Sequence, residues 1–207
     1  TTRRQPPATY PAPMPADPPS IGTPLGPTSS GPSSSGPTSP AAATPPSATQ
    51  PLDALSVTIV CCDNEATIRR CVASVQHLAA EIVAVDSGST DRTADILREH
   101  GARVVHNPWP GFAAQKNVAL NLATRPWLLH LDSDESLEPQ LADAVRAAVL
   151  RDPDATGPVA GYECNRKVWW AGKPLNHAWQ PEWRLRLVHR TAARWTGDDP
   201  HDRLELT

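Results

Sequence analysis

A short apolar run that stops abruptly at carboxylates does most to limit how this chain can fold. It reads Trp127-Leu128-Leu129-His130-Leu131 and is followed at once by Asp132-Ser133-Asp134-Glu135. Leu128, Leu129 and Leu131 suit a parallel strand buried on both faces, whereas Asp132 and Asp134 are seldom buried without a partner. The acids are therefore expected at the carboxyl end of the strand. In open α/β sheets that edge carries the ligand crevice, and an Asp-x-Asp there can hold a hard divalent cation against phosphates. A solvated turn leading into the next helix would also use three acids, and the motif alone does not separate the two.

The sequence upstream repeats the theme. Ser56 to Cys61 is short and β-branched, so it reads as a buried strand. From Glu65 the apolar positions Ile68, Cys71, Val72, Val75, Leu78 and Ala79 recur at helical spacing, with Asp63 or Asn64 as N-cap. Glu81 to Asp86 is a second strand ending in an acid. Ser87 to Asp91 then turns the chain, Thr90 capping a helix from Asp91 to about His100. Gly101 fits the end of that helix, Ala102 to His106 a third strand, and Phe112 to Ala123 a further helix before the Trp127 strand. Leu137 to Leu150 is amphipathic through Leu137, Leu141, Val145, Ala148 and Val149. This β-α alternation with short connections predicts an α/β fold, a mostly parallel, Rossmann-like sheet with helices on both faces.

Beyond Pro153 the texture changes. Val159 to Arg166, Trp183 to His189 and Ala193 to Thr196 read as strands between Trp-, Pro- and Gly-rich loops. Trp183, Leu185 and Leu187 alternate with Arg184 and Arg186, which predicts a small, half-exposed antiparallel element on the acceptor side.

Composition separates a tail from the folding unit. Fifteen of the 24 prolines lie in residues 1–51, among Ser, Thr, Ala and Gly. Such a segment lacks the apolar side chains that offset ordering entropy, so 1–51 is expected to be disordered and 52–207 to form one domain. A net charge of -3 and a pI near 6.1 argue against a nucleic-acid partner. No run approaches the roughly 18 apolar residues of a membrane span. Cys61, Cys62, Cys71 and Cys164 show no CxxC spacing; buried, reduced thiols and a cytoplasmic setting are expected. The chain starts without Met and stops inside the alternation Leu204-Glu205-Leu206-Thr207, so a fragment truncated at its C-terminus is expected.

Two strands ending in acids do not by themselves name a chemistry. The turn Cys62-Asp63-Asn64-Glu65 lacks the glycines of a dinucleotide-binding fingerprint, and no Walker loop is present, so metal and side chains are left to neutralise phosphates. In order along the chain, Asn64-Glu65, Val85-Asp86-Ser87-Gly88-Ser89-Thr90-Asp91, Gln115-Lys116-Asn117 and Leu131-Asp132-Ser133-Asp134-Glu135 resemble the family 2 glycosyltransferases of the GT-A fold. The stretch from Pro108-Trp109 through Gly111-Phe112 to Gln115-Lys116-Asn117, and later Leu185-Arg186-Leu187, resemble the bacterial branch of lipopolysaccharide core β-1,4-glucosyltransferases.

That resemblance implies roles. Asn64, Glu65 and Asp86 would hold the nucleobase and ribose, whose N–H and hydroxyl donors suit amides and carboxylates, although Glu65 equally suits the first turn of a helix. Asp134 would bind Mn²⁺ or Mg²⁺, with Asp132 on ribose or metal water, and Lys116 would bring charge near phosphate or acceptor. Glu182 occupies the place of the family's catalytic base, usually Asp, and Asp202 is its rival. His201 would close the metal site or be an ordinary loop histidine. Arg186 would pair with the diphosphate, brace Glu182, or form a surface ion pair. Trp169, Trp170 and Trp179 would stack on a sugar or lipid headgroup, or fill a small lobe. The implied activity is inverting, metal-dependent transfer from a nucleotide sugar, most simply UDP-glucose, to an envelope glycolipid or polysaccharide. Such an acceptor would bring the protein to the inner face of the cytoplasmic membrane. The alternatives are a polyprenyl-phosphate sugar synthase of the same family and a nucleotide-sugar-binding fragment without turnover.

Overall fold

The computed structural model describes residues 50–151, 159–175 and 180–207. Trp179 and residues 1–49 of the expected tail lie outside the described residues.

In chain order the elements are β1 (Leu52–Cys61), α1 (Glu65–Ala73), β2 (Ala79–Asp86), α2 (Thr93–Glu99), β3 (Arg103–His106), α3 (Phe112–Leu122), β4 (Trp127–Asp132) and α4 (Pro139–Val149). They are followed by β5 (Gly161–Asn165), β6 (Trp169–Trp170), β7 (Lys173–Pro174), β8 (Trp183–His189), β9 (Ala193–Thr196) and β10 (Arg203–Leu206). Six strands make one sheet in the order β3-β2-β1-β4-β8-β5, parallel from β3 to β4. The strands β6 with β7 and β9 with β10 form two separate hairpins.

Strand pleating decides which helix lies where. Leu55, Val57, Ile59 and Cys61 of β1 point to one face with Leu129 and Leu131 of β4, where Ile68 and Val72 of α1, Ile96 and Leu97 of α2 and Val145 and Val149 of α4 cover them. The opposite face takes α3 and the β9–β10 hairpin, through Leu120, Leu128, Val188, Trp195 and Leu204. Helices thus cover both faces of a mostly parallel sheet, with one face finished by a hairpin. Among the described residues no helix is long and apolar enough to cross a membrane.

Several boundaries shift for identifiable reasons. The helix after β1 stops at Ala73 although the apolar spacing runs to Ala79; the Ser74 hydroxyl bonds back to the Cys71 carbonyl, competing with the helical pattern, and Val75 and Leu78 stay buried in the following turn. Thr90 does not cap α2. Its hydroxyl goes to Asp63, while the Asp91 carboxylate accepts the Thr93 N–H at 2.9 Å, and the helix starts at Thr93.

The acceptor-side strands are not a detached element: β8 and β5 extend the main sheet, β8 antiparallel to both neighbours. Nor is β8 half-exposed throughout. Tyr162 pairs with Leu187 and Glu163 with Leu185, so two residues of β8 oppose one of β5 and Arg186 is the extra residue of a bulge. A bulge re-aims a side chain, and Arg186 turns inward to 8% exposure.

All four cysteines are free; Cys61, Cys71 and Cys164 are buried, and Cys62, just past the end of β1, is exposed. Burial pushes the Cys164 thiol up to about 11 and those of Cys61 and Cys71 further. A thiol-specific reagent is therefore expected to label the native protein once, at Cys62, and four times in denaturant. Rapid native labelling of a second cysteine would contradict this packing.

Candidate active site

The carboxyl edge of the sheet gathers the residues of interest. In register, Asp86 at the end of β2 faces Cys61, and Asp132 at the end of β4 faces Val60, so the two acids flank the end of β1. Beyond them the first two β-α turns are clasped together. The Asp63 N–H donates to Ser89 Oγ at 2.9 Å, and the Thr90 N–H returns to Asp63 Oδ1 at 2.7 Å. The Asn64 N–H donates to Thr93 Oγ1 and the Glu65 N–H to Asp91 Oδ2, while Glu65 Oε2 accepts the Arg92 N–H.

Asp86 is almost fully buried, and its carboxylate accepts the N–H groups of Gly88 and Ser89 and the Ser89 hydroxyl. Gly88 meets that carboxylate at φ 104°, a conformation L side chains rarely adopt. Asn64 turns its side-chain oxygen to the Cys62 N–H. The three residues expected to hold a nucleoside are thus brought to one corner, each already engaged in shaping it.

Asp132 is the hub of the other corner. Lys116, from α3, reaches its Oδ1 at 2.8 Å and Asp202 Oδ2 at 2.9 Å; Arg186 reaches Asp132 Oδ2 and Glu135 Oε1, both at 2.9 Å. Arg166 lies 3.7 Å from Glu135 and pairs with Glu182 at 2.8 Å, and Arg184 joins Glu182 at 2.7 Å. Asp202, Lys116, Asp132, Arg186, Glu135, Arg166, Glu182 and Arg184 therefore form one chain of alternating charge. It ties α3, β4, β8 and the loops beside β5 and β10 into a single electrostatic unit.

His130, wholly buried below Asp132, completes the hub. Burial pushes its imidazole down to about 4, against the pull of Asp132, so it is neutral at physiological pH. Its Nε2 lies 3.3 Å from Asp132 Oδ1 and must carry the proton to face a carboxylate; Nδ1 then accepts the Thr58 hydroxyl at 3.0 Å. Burial alone would raise the Asp132 carboxyl, but the His130 hydrogen bond and the charges of Arg186 and Lys116 hold it far below the usual range. Glu135, half-buried, is pushed up by desolvation despite Arg186.

Glu182 works in the opposite sense: against a modest burial effect, hydrogen bonds from Arg166 and Arg184 hold its carboxyl below normal. Arg166 grips it with two N–H groups, Nε to Oε2 at 3.0 Å and the 2.8 Å contact. Arg186, read from sequence as a possible brace for Glu182, braces Asp132 and Glu135 instead.

Asp134 and His201 are exposed at the mouth, and the Asp134 backbone carbonyl accepts Arg70 at 2.9 Å. Among the described residues no three His, Cys, Asp or Glu side chains converge on one metal position. With both Asp132 oxygens taken, the donor set suits a hard cation held by the Asp134 carboxylate and completed by substrate phosphates and water.

The β9–β10 hairpin delivers Asp202, and α3 seats it. The Asn117 amide clamps Trp195, Nδ2 donating to its carbonyl at 2.8 Å and Oδ1 accepting its N–H at 3.0 Å. Asp199 Oδ1 accepts the Phe112 N–H at 2.8 Å, filling the orphan-donor end of α3. Gly111, at φ 110°, leaves room for this, since a Cβ there would lie 2.9 Å from Asp199 Oδ2.

Glu135, His130, Arg166 and Trp195 were not singled out as site residues by sequence reasoning. Only Glu135 carried a signal, as the last acid of the Asp132 motif. Trp169, half-buried, and Trp170, 74% exposed, sit apart on the β6–β7 hairpin.

Comparison with known proteins shows the family. The sequence model for glycosyl transferase family 2 matches residues 56–204. Relatives include the lipopolysaccharide core biosynthesis glycosyltransferase LpsC of Rhizobium meliloti, 32% identical over 68% of this chain and 53% of its own length. An uncharacterized glycosyltransferase of Rickettsia felis is 36% identical over 45% of this chain and 33% of its own. The chain thus spans about half or less of these relatives. Among solved structures, S. aureus TarS in complex with UDP-GlcNAc overlays 45% of this chain and 30% of its own at 25% identity and a TM-score of 0.41. The family match covers β1 through the start of β10 and takes in every residue of the alternating charge chain: this protein belongs to glycosyl transferase family 2.

Proposed function

We propose that this domain transfers a sugar, with inversion, from a nucleotide-sugar donor, UDP-glucose in the simplest case, to a glycolipid or polysaccharide acceptor of the cell envelope. The observation that carries the reading is the half-buried Asp132 held between the buried Lys116 and Arg186 at the carboxyl edge, with Asp134 open to solvent beside it. Two buried cations there can meet the charge of a diphosphate, and the clasped turns around Asp86 offer carboxylate and amide acceptors to a nucleoside. LpsC, named for lipopolysaccharide core biosynthesis, supports an envelope acceptor, which would place the protein at the inner face of the cytoplasmic membrane.

Asp134, backed by Asp132, would hold Mn²⁺ or Mg²⁺, which when bound supplies Lewis-acid neutralisation of the diphosphate. The acceptor hydroxyl loses its proton to a carboxylate while its oxygen bonds to the anomeric carbon and the bond to the diphosphate breaks, releasing UDP. Glu182, pinned by two guanidiniums, is a weakened base. Asp202 faces the single ammonium of Lys116, and the reading assigns it the proton, leaving Glu182 to brace Arg166 and Arg184.

The test is UDP release from a panel of UDP-sugars with candidate glycolipid acceptors, comparing Asp202→Asn with Glu182→Gln. Transfer is expected to fall about 10²–10⁴-fold in Asp202→Asn, the usual worth of a general base. UDP binding should survive both changes. Loss confined to Glu182→Gln would return the base to Glu182. A second reading, nucleotide-sugar binding without turnover, follows if the base belongs at Glu182, because the double arginine clamp weakens that carboxylate. Calorimetric UDP binding with no transfer to any acceptor would select it.

A further inference from the structure

Three groups hold Asp132 in place: Lys116, Arg186 and His130. All three border the ring of one side chain, Trp195. Lys116 Nζ lies 4.4 Å from the Trp195 ring centroid, Arg186 Cζ 6.0 Å from it, and the His130 ring meets it edge-on with centroids 4.8 Å apart. Trp195 is 4% exposed, and its indole N–H is buried with no partner among the described residues. A buried donor left unpaired is a cost, so what the site uses is the ring and not its hydrogen-bonding edge. Asn117, next in sequence to Lys116, grips the Trp195 backbone in both directions. A single turn of α3 therefore supplies both the cation and the clamp that holds the ring against it.

We propose that Trp195 is a positioning residue for the two active-site cations: its ring face fixes the Lys116 ammonium, with Arg186 beside it, at Asp132 and at the place a diphosphate would occupy. The physical reason lies in the flexibility of lysine. An ammonium on a four-carbon stem between Asp132 and Asp202 has several ways to satisfy two carboxylates, and an aromatic face within cation–π range selects one of them. Indole is the strongest such face among the side chains, which accounts for a tryptophan whose N–H goes unused.

The inference rests on the donor-binding reading only in its second readout. The first is structural: in NMR spectra of the wild-type chain, the Lys116 side-chain protons nearest Nζ should lie upfield of the positions of a solvated lysine through the ring current of Trp195. They should return to ordinary positions in Trp195→Leu and stay displaced in Trp195→Phe. The second is UDP affinity by calorimetry. Trp195→Leu is expected to bind UDP about tenfold more weakly, the size of one desolvated cation–π contact, and Trp195→Phe to recover most of that loss. Packing alone predicts similar affinities for Phe and Leu, and that result would overturn the proposal. So would ordinary Lys116 shifts in the wild type. Should Trp195→Leu fail to fold, the wild-type spectrum and Trp195→Phe still decide; should the wild type bind no UDP, the donor-binding reading falls and the lysine shifts judge Trp195 alone.

Discussion

Replacing Arg186 by Met is expected to lower the unfolding free energy by about 3–5 kcal/mol, the usual cost of breaking a buried ion pair on one side. Arg186 is 8% exposed and divides its guanidinium between Asp132 and Glu135. Methionine fills much of the volume but leaves two half-buried carboxylates close together with one cation fewer between them. The loss comes from those under-compensated acids, left to Lys116, His130 and the more distant Arg166, and not from missing packing, so a triple variant adding Asp132→Asn and Glu135→Gln should regain most of it. Urea unfolding midpoints measure both. A loss below about 1 kcal/mol, the range of exposed pairs, would mean that water reaches the charge chain and that it is not one buried unit.

Asp134→Ala should behave in the reverse way. Asp134 is exposed, so its removal is expected to move stability by no more than about 0.5 kcal/mol, as at ordinary surface positions. Metal-stimulated release of UDP from a UDP-sugar should nevertheless fall on the order of a thousandfold, because Lewis-acid neutralisation of a leaving group is worth several kcal/mol. Stability and activity are thus expected to respond differently at the motif and at its brace, with stability falling most in the Arg186 variant and metal stimulation falling most in the Asp134 variant. Unchanged metal stimulation in a folded Asp134→Ala protein would remove Asp134 from the metal site. Loss of fold in that variant would instead mean that the exposed carboxylate has a structural partner.

What the sequence made legible was local. The strands β2, β3 and β4 and their helices follow from periodicity and from Gly101 as a helix end, and Trp183 to His189 and Ala193 to Thr196 were bounded as observed. Asp86 and Asp132 were singled out as acids ending strands, and Lys116 only through the resemblance. What stayed hidden depends on partners far apart in the chain. Lys116 looks like a surface lysine of a helix until Asp202 and Trp195, from the β9–β10 hairpin, close over it. Arg186 was misjudged because strict alternation assumes an unbroken ladder, and the bulge against β5 breaks it at that residue. Trp195 carries no motif, and its place is set by the Asn117 clamp, which only the folded chain reveals.

The clasp between the first two β-α turns has a thermodynamic consequence. Its hydrogen bonds run in both directions, from Asp63, Asn64 and Glu65 to the Ser89–Thr93 segment and back, so neither turn can loosen without the other. Loops that wrap a ligand commonly give up conformational freedom on doing so, and that loss is subtracted from affinity. Here the clasp sets that order in the protein alone, so a ligand docking against these turns would be spared the loop-ordering share of the cost of association.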